Sequence, residues 1–256
     1  MNKFTKLKSR GFTLIEMTMV MMIVGLLLAG LLPNLYAQME SRRINETRKQ
    51  LEEIKEALVG FVIINGRLPC PADSLIPTGQ LNAGKEAKTG PACTNITNNR
   101  ASGVIPWAAL GINETDAWGR RFTYSIASYF ADDFGNNTYT YNTSSNPCVP
   151  NPAPTQSSFA LCSPGNLVVA ASATYTANIT DNAPAVIVSH GANGLGAYMP
   201  NGGNIPITGA SSDEASNADN NNDFVYHEAT SNFDDQVIWL STNILFNRMV
   251  AAGKLP

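Results

Sequence analysis

The sequence predicts an α+β chain in which a long N-terminal helix leads into a loop-rich head built on short strands. Three observations predict it. From Phe12 to Leu32 the chain is apolar except for Thr13, Glu16 and Thr18, and a helical pattern then continues to about Ile64. The last third holds short apolar runs of strand length, separated by Gly, Asn and Pro turns. Four cysteines, Cys70, Cys93, Cys148 and Cys162, all lie beyond the helix, where short loops need fastening.

Residues 1–11 form a leader carrying Lys3, Lys6, Lys8 and Arg10 and no acid. The positive-inside rule keeps such a segment cytoplasmic. The apolar run over 12–32 is long enough to span a bilayer. An ionised Glu16 inside it costs roughly 2.5–3.5 kcal/mol, so the carboxylate marks a function rather than an accident. An ordinary secretory signal ends in a small-x-small site on the far side. Pro33-Asn34-Leu35-Tyr36-Ala37-Gln38 offers only a poor one.

Past the span, Ile44, Leu51 and Leu58 recur every seven residues, with Ile54 and Phe61 on a neighbouring line. That is an apolar stripe suited to packing on a head. Arg42, Glu46, Lys55 and Glu56 fill the other face, and Arg48–Glu52 and Lys49–Glu53 have i,i+4 spacing. Asn65-Gly66 and Leu68-Pro69-Cys70-Pro71 end the helix. One helix from Phe12 to about Ile64 would be about 80 Å long at 1.5 Å per residue. The domains read as 1–11 leader, 12–66 helix and 67–256 head.

In the head, Ile105–Gly111 predicts a turn of helix, and Asp116–Ile126 a turn feeding a strand. Asn166–Ala171 and Ala185–Ser189 read as buried strands. Phe233–Ser241 reads as a strand or turn into a last helix near Leu240–Gly253. Trp107 and Trp118 are expected to pack in the core. Asp234 and Asp235 stand where they could cap that last helix or reach a metal. Outside the reducing cytoplasm the four cysteines would form two disulfides. Three connectivities are possible; Cys70–Cys93 and Cys148–Cys162 are preferred because each closes a short loop with little core of its own.

Gly11-Phe12-Thr13-Leu14-Ile15-Glu16 resembles the processing signal of type IV pilins and of type II secretion pseudopilins. The resemblance implies cleavage between Gly11 and Phe12 by prepilin peptidase and N-methylation of Phe12. It also implies an assembly role for Glu16 and a small antiparallel sheet under the helix. An unpaired carboxylate at membrane depth seeks a cation, and the freed amine of Phe12 on a neighbouring subunit is the expected partner. Asn65-Gly66-Arg67-Leu68-Pro69 and the Asp116-x-Trp118-Gly119-x-x-x-x-Tyr124 segment are similar to the major pseudopilin head. The inserts between them and at Asn136–Ser163 depart from it, which favours a minor or variant member. Implied partners are other pilins or pseudopilins and an inner-membrane assembly platform, with the head periplasmic.

Asp213–Asp223 is dense in the hard oxygens that calcium prefers. Asp219, Asn221 and Asp223 copy the first EF-hand positions, but Phe224 and Thr230 stand where glycine and glutamate are needed. A calcium-stabilised loop of pseudopilin type would draw on Asp213, Asp219, Asn221, Asp223 and Asp234; a merely solvated polar loop is the alternative. His190-Gly191-Ala192-Asn193-Gly194-Leu195-Gly196 lacks the Lys-Ser/Thr of a phosphate loop and reads as a tight turn.

Composition narrows the function. Residues 67–256 carry eight Lys/Arg against fourteen Asp/Glu, which argues against nucleic acid as a direct ligand. His190 and His227 are the only histidines, and neither sits in a hydrolase motif. The expectation is therefore a structural subunit of a pilus or pseudopilus and not an enzyme. The alternative is a membrane-anchored periplasmic binding module that does not polymerise.

Overall fold

The structure, a computed structural model, describes residues 11–90, 92–94, 96–131, 159, 161 and 163–255, with backbone alone at 30–34. Two compact units divide the chain, one reaching to Arg43 and the other running from Ile44 to Pro256.

The first unit carries the start of helix α1, Leu14–Asn65. Every described side chain from Phe12 to Ala29 is exposed, Leu14 by 84%. Among the described residues, no helix is long and apolar enough to cross a membrane. The expected span at 12–32 reaches into residues 30–34, whose side chains lie outside the described set.

The second unit begins with the rest of α1. The middle of its stripe is buried: Leu51, Ile54 and Leu58 are closed off from solvent, joined by Val59 and Val62, while Ile44 and Phe61 are half-buried. Lys49 pairs with Glu53 at 3.6 Å, while Glu52 turns to Lys55 at 3.4 Å instead of to Arg48. The helix stops where Gly66 takes φ +69°, its N–H donating to the Val62 carbonyl at 2.7 Å.

Short strands β1 (Lys88–Thr89), β2 (Ala92–Cys93) and β3 (Ile96–Thr97) precede β4 (Arg100–Val104), the single turn α2 (Trp107–Leu110) and β5 (Thr123–Ala127). Then come β6 (Leu167–Ala170), β7 (Asn178–Ala183), β8 (Ala185–Ser189), α3 (Ser212–Ser216), β9 (Asp223–Val225), β10 (Gln236–Trp239) and α4 (Thr242–Ala251). The main sheet is antiparallel, ordered β10-β8-β5-β4-β3. This is the antiparallel sheet expected; a further sheet, β7-β6-β9, adds one parallel pair, β6 with β9. The polar stretch after Asp213 hides both α3 and β9, too short and too hydrophilic to show a period.

The alternation along β5 and β8 sets the cores. Tyr124, Ile126, Ala185 and Ile187 face the α1 stripe together with Phe122, Phe130, Leu245 and Met249. Val186 and Val188 face the other way, into a second core with Leu167, Val169, Phe224 and Val237. On that side β5 offers Thr123 and Ser125, both buried, and this polar strip positions the site described below. Trp107 packs against the larger core as expected and lies under the Arg121 guanidinium, 4.6 Å from the ring centre.

Cys70 and Cys93 form a disulfide. Beside it, Arg67 grips Glu86 with two bonds of 2.6 and 3.1 Å, and Glu86 also accepts from the Cys70 N–H at 2.8 Å. Cys148 and Cys162 lie outside the described residues, as does most of the Asn136–Ser163 insert. Asp234 and Asp235 do not cap the last helix. They precede β10, and α4 starts after Ser241, which makes no side-chain cap bond.

Candidate functional site

Two sets of residues stand out chemically. The first is at the N-terminus of α1. Gly11, Phe12 and Thr13 precede the helix without regular structure, exposed to solvent. A Cβ built on Gly11 would meet nothing within 4 Å. Nothing in the fold requires glycine there, so a demand for glycine must come from outside the chain.

Thr13 and Glu16 form a reciprocal capping box. The Glu16 N–H donates to Thr13 Oγ1 at 3.3 Å, while Glu16 Oε2 accepts from the Thr13 N–H at 2.8 Å and from its hydroxyl at 2.7 Å. Thr-x-x-Glu is a sequence signal for a helix start, and reading Glu16 only as an assembly residue leaves it out. The carboxylate is thereby held against the free end of its own helix, beside the bond that cleavage would break.

The second set lies in the head, where Glu214 on α3 and Asp234 and Asp235 before β10 bring one carboxylate oxygen each within 4.8 Å of one another. Glu214 and Asp235 are buried and Asp234 half-buried. The glycine-rich turn after β8 holds them. Asn193 donates its N–H to Asp234 Oδ2 at 2.9 Å and its Nδ2 to Glu214 Oε1 at 2.7 Å. Gly191, at φ +54°, lies so close that a Cβ would sit 2.3 Å from the Asp234 carbonyl oxygen. Arg120 clamps the turn from behind, donating to the Gly191 and Ala192 carbonyls.

Burial and mutual repulsion act together on these acids. Desolvation raises the Asp235 carboxyl well above the ordinary range, and Glu214 and Asp234 add to it against an Asn217 hydrogen bond of 2.8 Å. Desolvation likewise raises Asp234, with Glu214 contributing. Asp234 Oδ1 and Asp235 Oδ1 are buried without a hydrogen-bond partner among the described residues. Three converging carboxylates, two of which carry a buried oxygen without a partner among the described residues, fit a divalent cation of calcium type.

The residues expected to hold calcium are distributed differently. The cluster contains Asp234 but not Asp213, Asp219, Asn221 or Asp223. Asp213 accepts from the Ala173 N–H at 2.8 Å and contacts His227 Nε2 at 3.2 Å. Asp219 accepts from the Asn221 N–H at 3.1 Å and from its amide at 2.7 Å, and Asn221 accepts from the Asp223 N–H at 2.6 Å. Asp219 and Asn221 are thus committed to local turns, and Asp213 to partners elsewhere in the head. Glu214 escaped sequence reading because its partners are about twenty residues away; an acid beside a Ser cap inside a polar stretch carries no distinctive spacing.

Asp116 of the Asp-x-Trp-Gly segment has a structural task. It accepts from the Trp118 and Arg120 N–H groups at 2.9 and 3.0 Å and from the Ser189 hydroxyl at 2.7 Å. Burial nevertheless raises its carboxyl above the usual value. The motif thus ties the turn before β5 to the end of β8.

Residues 6–32 match the prokaryotic N-terminal methylation motif. The chain therefore carries a type IV pilin- or pseudopilin-like signal, with the candidate cut at Gly11–Phe12 and Glu16 both inside the matched segment. That signal points to a processed structural subunit rather than an enzyme. No curated protein and no solved structure matches the chain.

Proposed function

We propose that the chain is a minor or variant pilin or pseudopilin, cut by prepilin peptidase after Gly11 and methylated on Phe12. It is stored in the inner membrane through residues 12–32 with its head in the periplasm, and then drawn into a type II secretion pseudopilus or a type IV pilus. One observation carries the reading: the methylation motif coincides with a segment, helical from Leu14, whose described apolar side chains from Phe12 to Ala29 are all exposed among the described residues. Such a surface needs lipid or neighbouring helices around it.

Glu16 pairs with the Phe12 amine of the adjacent subunit, which offsets the desolvation of both charges and sets the axial register. In the head, Glu214, Asp234 and Asp235 hold calcium. The ion supplies positive charge that relieves carboxylate repulsion, while the His190–Asn193 turn and Arg120 keep the oxygens in place.

Intact mass spectrometry of the protein purified from membranes tests the reading. The expected mass lacks residues 1–11 and carries one added methyl group; an intact start, or trimming beyond residue 32, overturns it. Cysteines introduced near Phe12 should cross-link into ladders, and Glu16→Val should abolish them. Correctly processed protein that never yields ladders would instead identify an anchored binding module that does not polymerise.

A further inference from the structure

His190 opens the turn that holds the acidic cluster, and its side chain is only 1% exposed. Its Nε2 lies 2.8 Å from the Thr123 hydroxyl on β5. Its Nδ1 points at Asp235 Oδ1 across 3.8 Å, and neither atom has a hydrogen-bond partner among the described residues. A leucine or phenylalanine would fill this space without burying an unsatisfied nitrogen. The other Asp235 oxygen is committed to Asn217 at 2.8 Å, so Oδ1 is the oxygen the imidazole faces.

We infer that His190, held in place by Thr123, is a positioning residue for the Asp235 carboxylate of the Glu214–Asp234–Asp235 cluster. The inference rests on the cation reading above and adds to it the residues that orient a ligand. Imidazole carries one proton, and the bond made by one nitrogen decides what the other can do. A Thr123 hydroxyl donating to Nε2 leaves the proton on Nδ1, facing the carboxylate. A motion of about 1 Å closes the gap to an ordinary hydrogen bond. With Asn193 on Glu214 and Asp234, the one turn then touches all three acids. Its anchor is the central strand, so the cluster is oriented from a rigid element rather than from its own loop. Groups that hold ligating carboxylates in this way are worth about 10–100-fold in metal affinity.

The test is calorimetric titration of the full-length, detergent-solubilised protein with calcium after chelation, alongside melting of the calcium-free protein. His190→Gln keeps an amide near the Nε2 position and loses the donor toward Asp235; His190→Asn places an amide near Nδ1. The expected result is a 10–100-fold loss of calcium affinity in His190→Gln and recovery to within about threefold in His190→Asn. Thr123→Val, nearly isosteric, should weaken binding several-fold and add little to the His190→Gln loss, since the two act as one unit. Calcium affinity unchanged in His190→Gln overturns the inference. So does an equal loss in the Gln and Asn variants, which would mark a packing role. Wild-type protein that binds no calcium overturns the cation reading and this inference together, and leaves the N-terminal processing result standing.

Discussion

Leu27 and Leu58 sit on the same helix, yet one is 61% exposed and the other fully buried. The contrast extends to the two units. From Phe12 to Ala29 the side chains are apolar and uncovered, and the polar exceptions are satisfied locally, by Thr13 for Glu16 and by the Ile15 carbonyl for Thr18. In the head a set of apolar residues is enclosed in two cores, and a charged residue is buried too: Arg121 donates to Glu114 nearby and to Thr78 and Pro200 far along the chain. One region is finished by its own fold. The other carries an apolar surface that the described residues leave open, which the proposed storage in lipid and passage to a filament would cover.

The sharpest way to break that comparison is one substitution made twice. Leu58→Ala should destabilise the head by about 3–5 kcal/mol, the range for a large buried side chain whose site cannot fully collapse. Leu27→Ala should change its melting by less than about 0.5 kcal/mol. Chemical denaturation of both variants in detergent measures the pair, and equal effects would mean that the uncovered segment is part of the head's cooperative fold.

A smaller effect is expected from Cys70→Ser combined with Cys93→Ser. Opening a loop with a sequence separation of 23 residues should remove about 3 kcal/mol on the chain-entropy estimate. A loss well below 1 kcal/mol would show that the Arg67–Glu86 clasp already orders the segment.

The smallest effect concerns His190, which burial, and then the nearby Arg120 charge, depress from 6.5 to about 4. An unfolded chain therefore takes up this proton before the folded one does. The contribution is complete above pH 6.5 and is lost as pH falls toward 4, up to about 3 kcal/mol in all. Asp235 faces the same ring, and with Asp234 it runs the other way, because raised carboxyls favour the folded state at low pH. The useful quantity is the difference between wild type and His190→Gln in chelator: the wild type should lose more stability between pH 6.5 and 4.5. Parallel curves would contradict a neutral buried imidazole.

Much of the fold could be read from the chain because its signals are local. Asn65-Gly66 stops α1, the seven-residue stripe fixes its buried face, and the Val-Ile runs of β6 and β8 and the turn at Trp107–Gly111 appear where expected. The Cys70–Cys93 pairing, preferred for its short loop, forms, and both cysteines lie in the larger core. Thr13-x-x-Glu16 carries the local pattern of a helix start as well. The strands at Arg100–Val104 and Asp223–Val225 were not legible, the first because polar and small residues show no period, the second because three residues are too few to show one.

The helix, its stop, its cap and the processing signal are written in the chain, because each depends on residues within a few positions of one another. Which acids meet is settled by the fold. Asn193 reaches Glu214 across 21 residues, Glu214 meets Asp234 across 20, and Ser189 reaches Asp116 across 73. Such contacts depend on how β5, β8 and β10 pair, and pairing is chosen by the burial of whole faces, which no local spacing encodes.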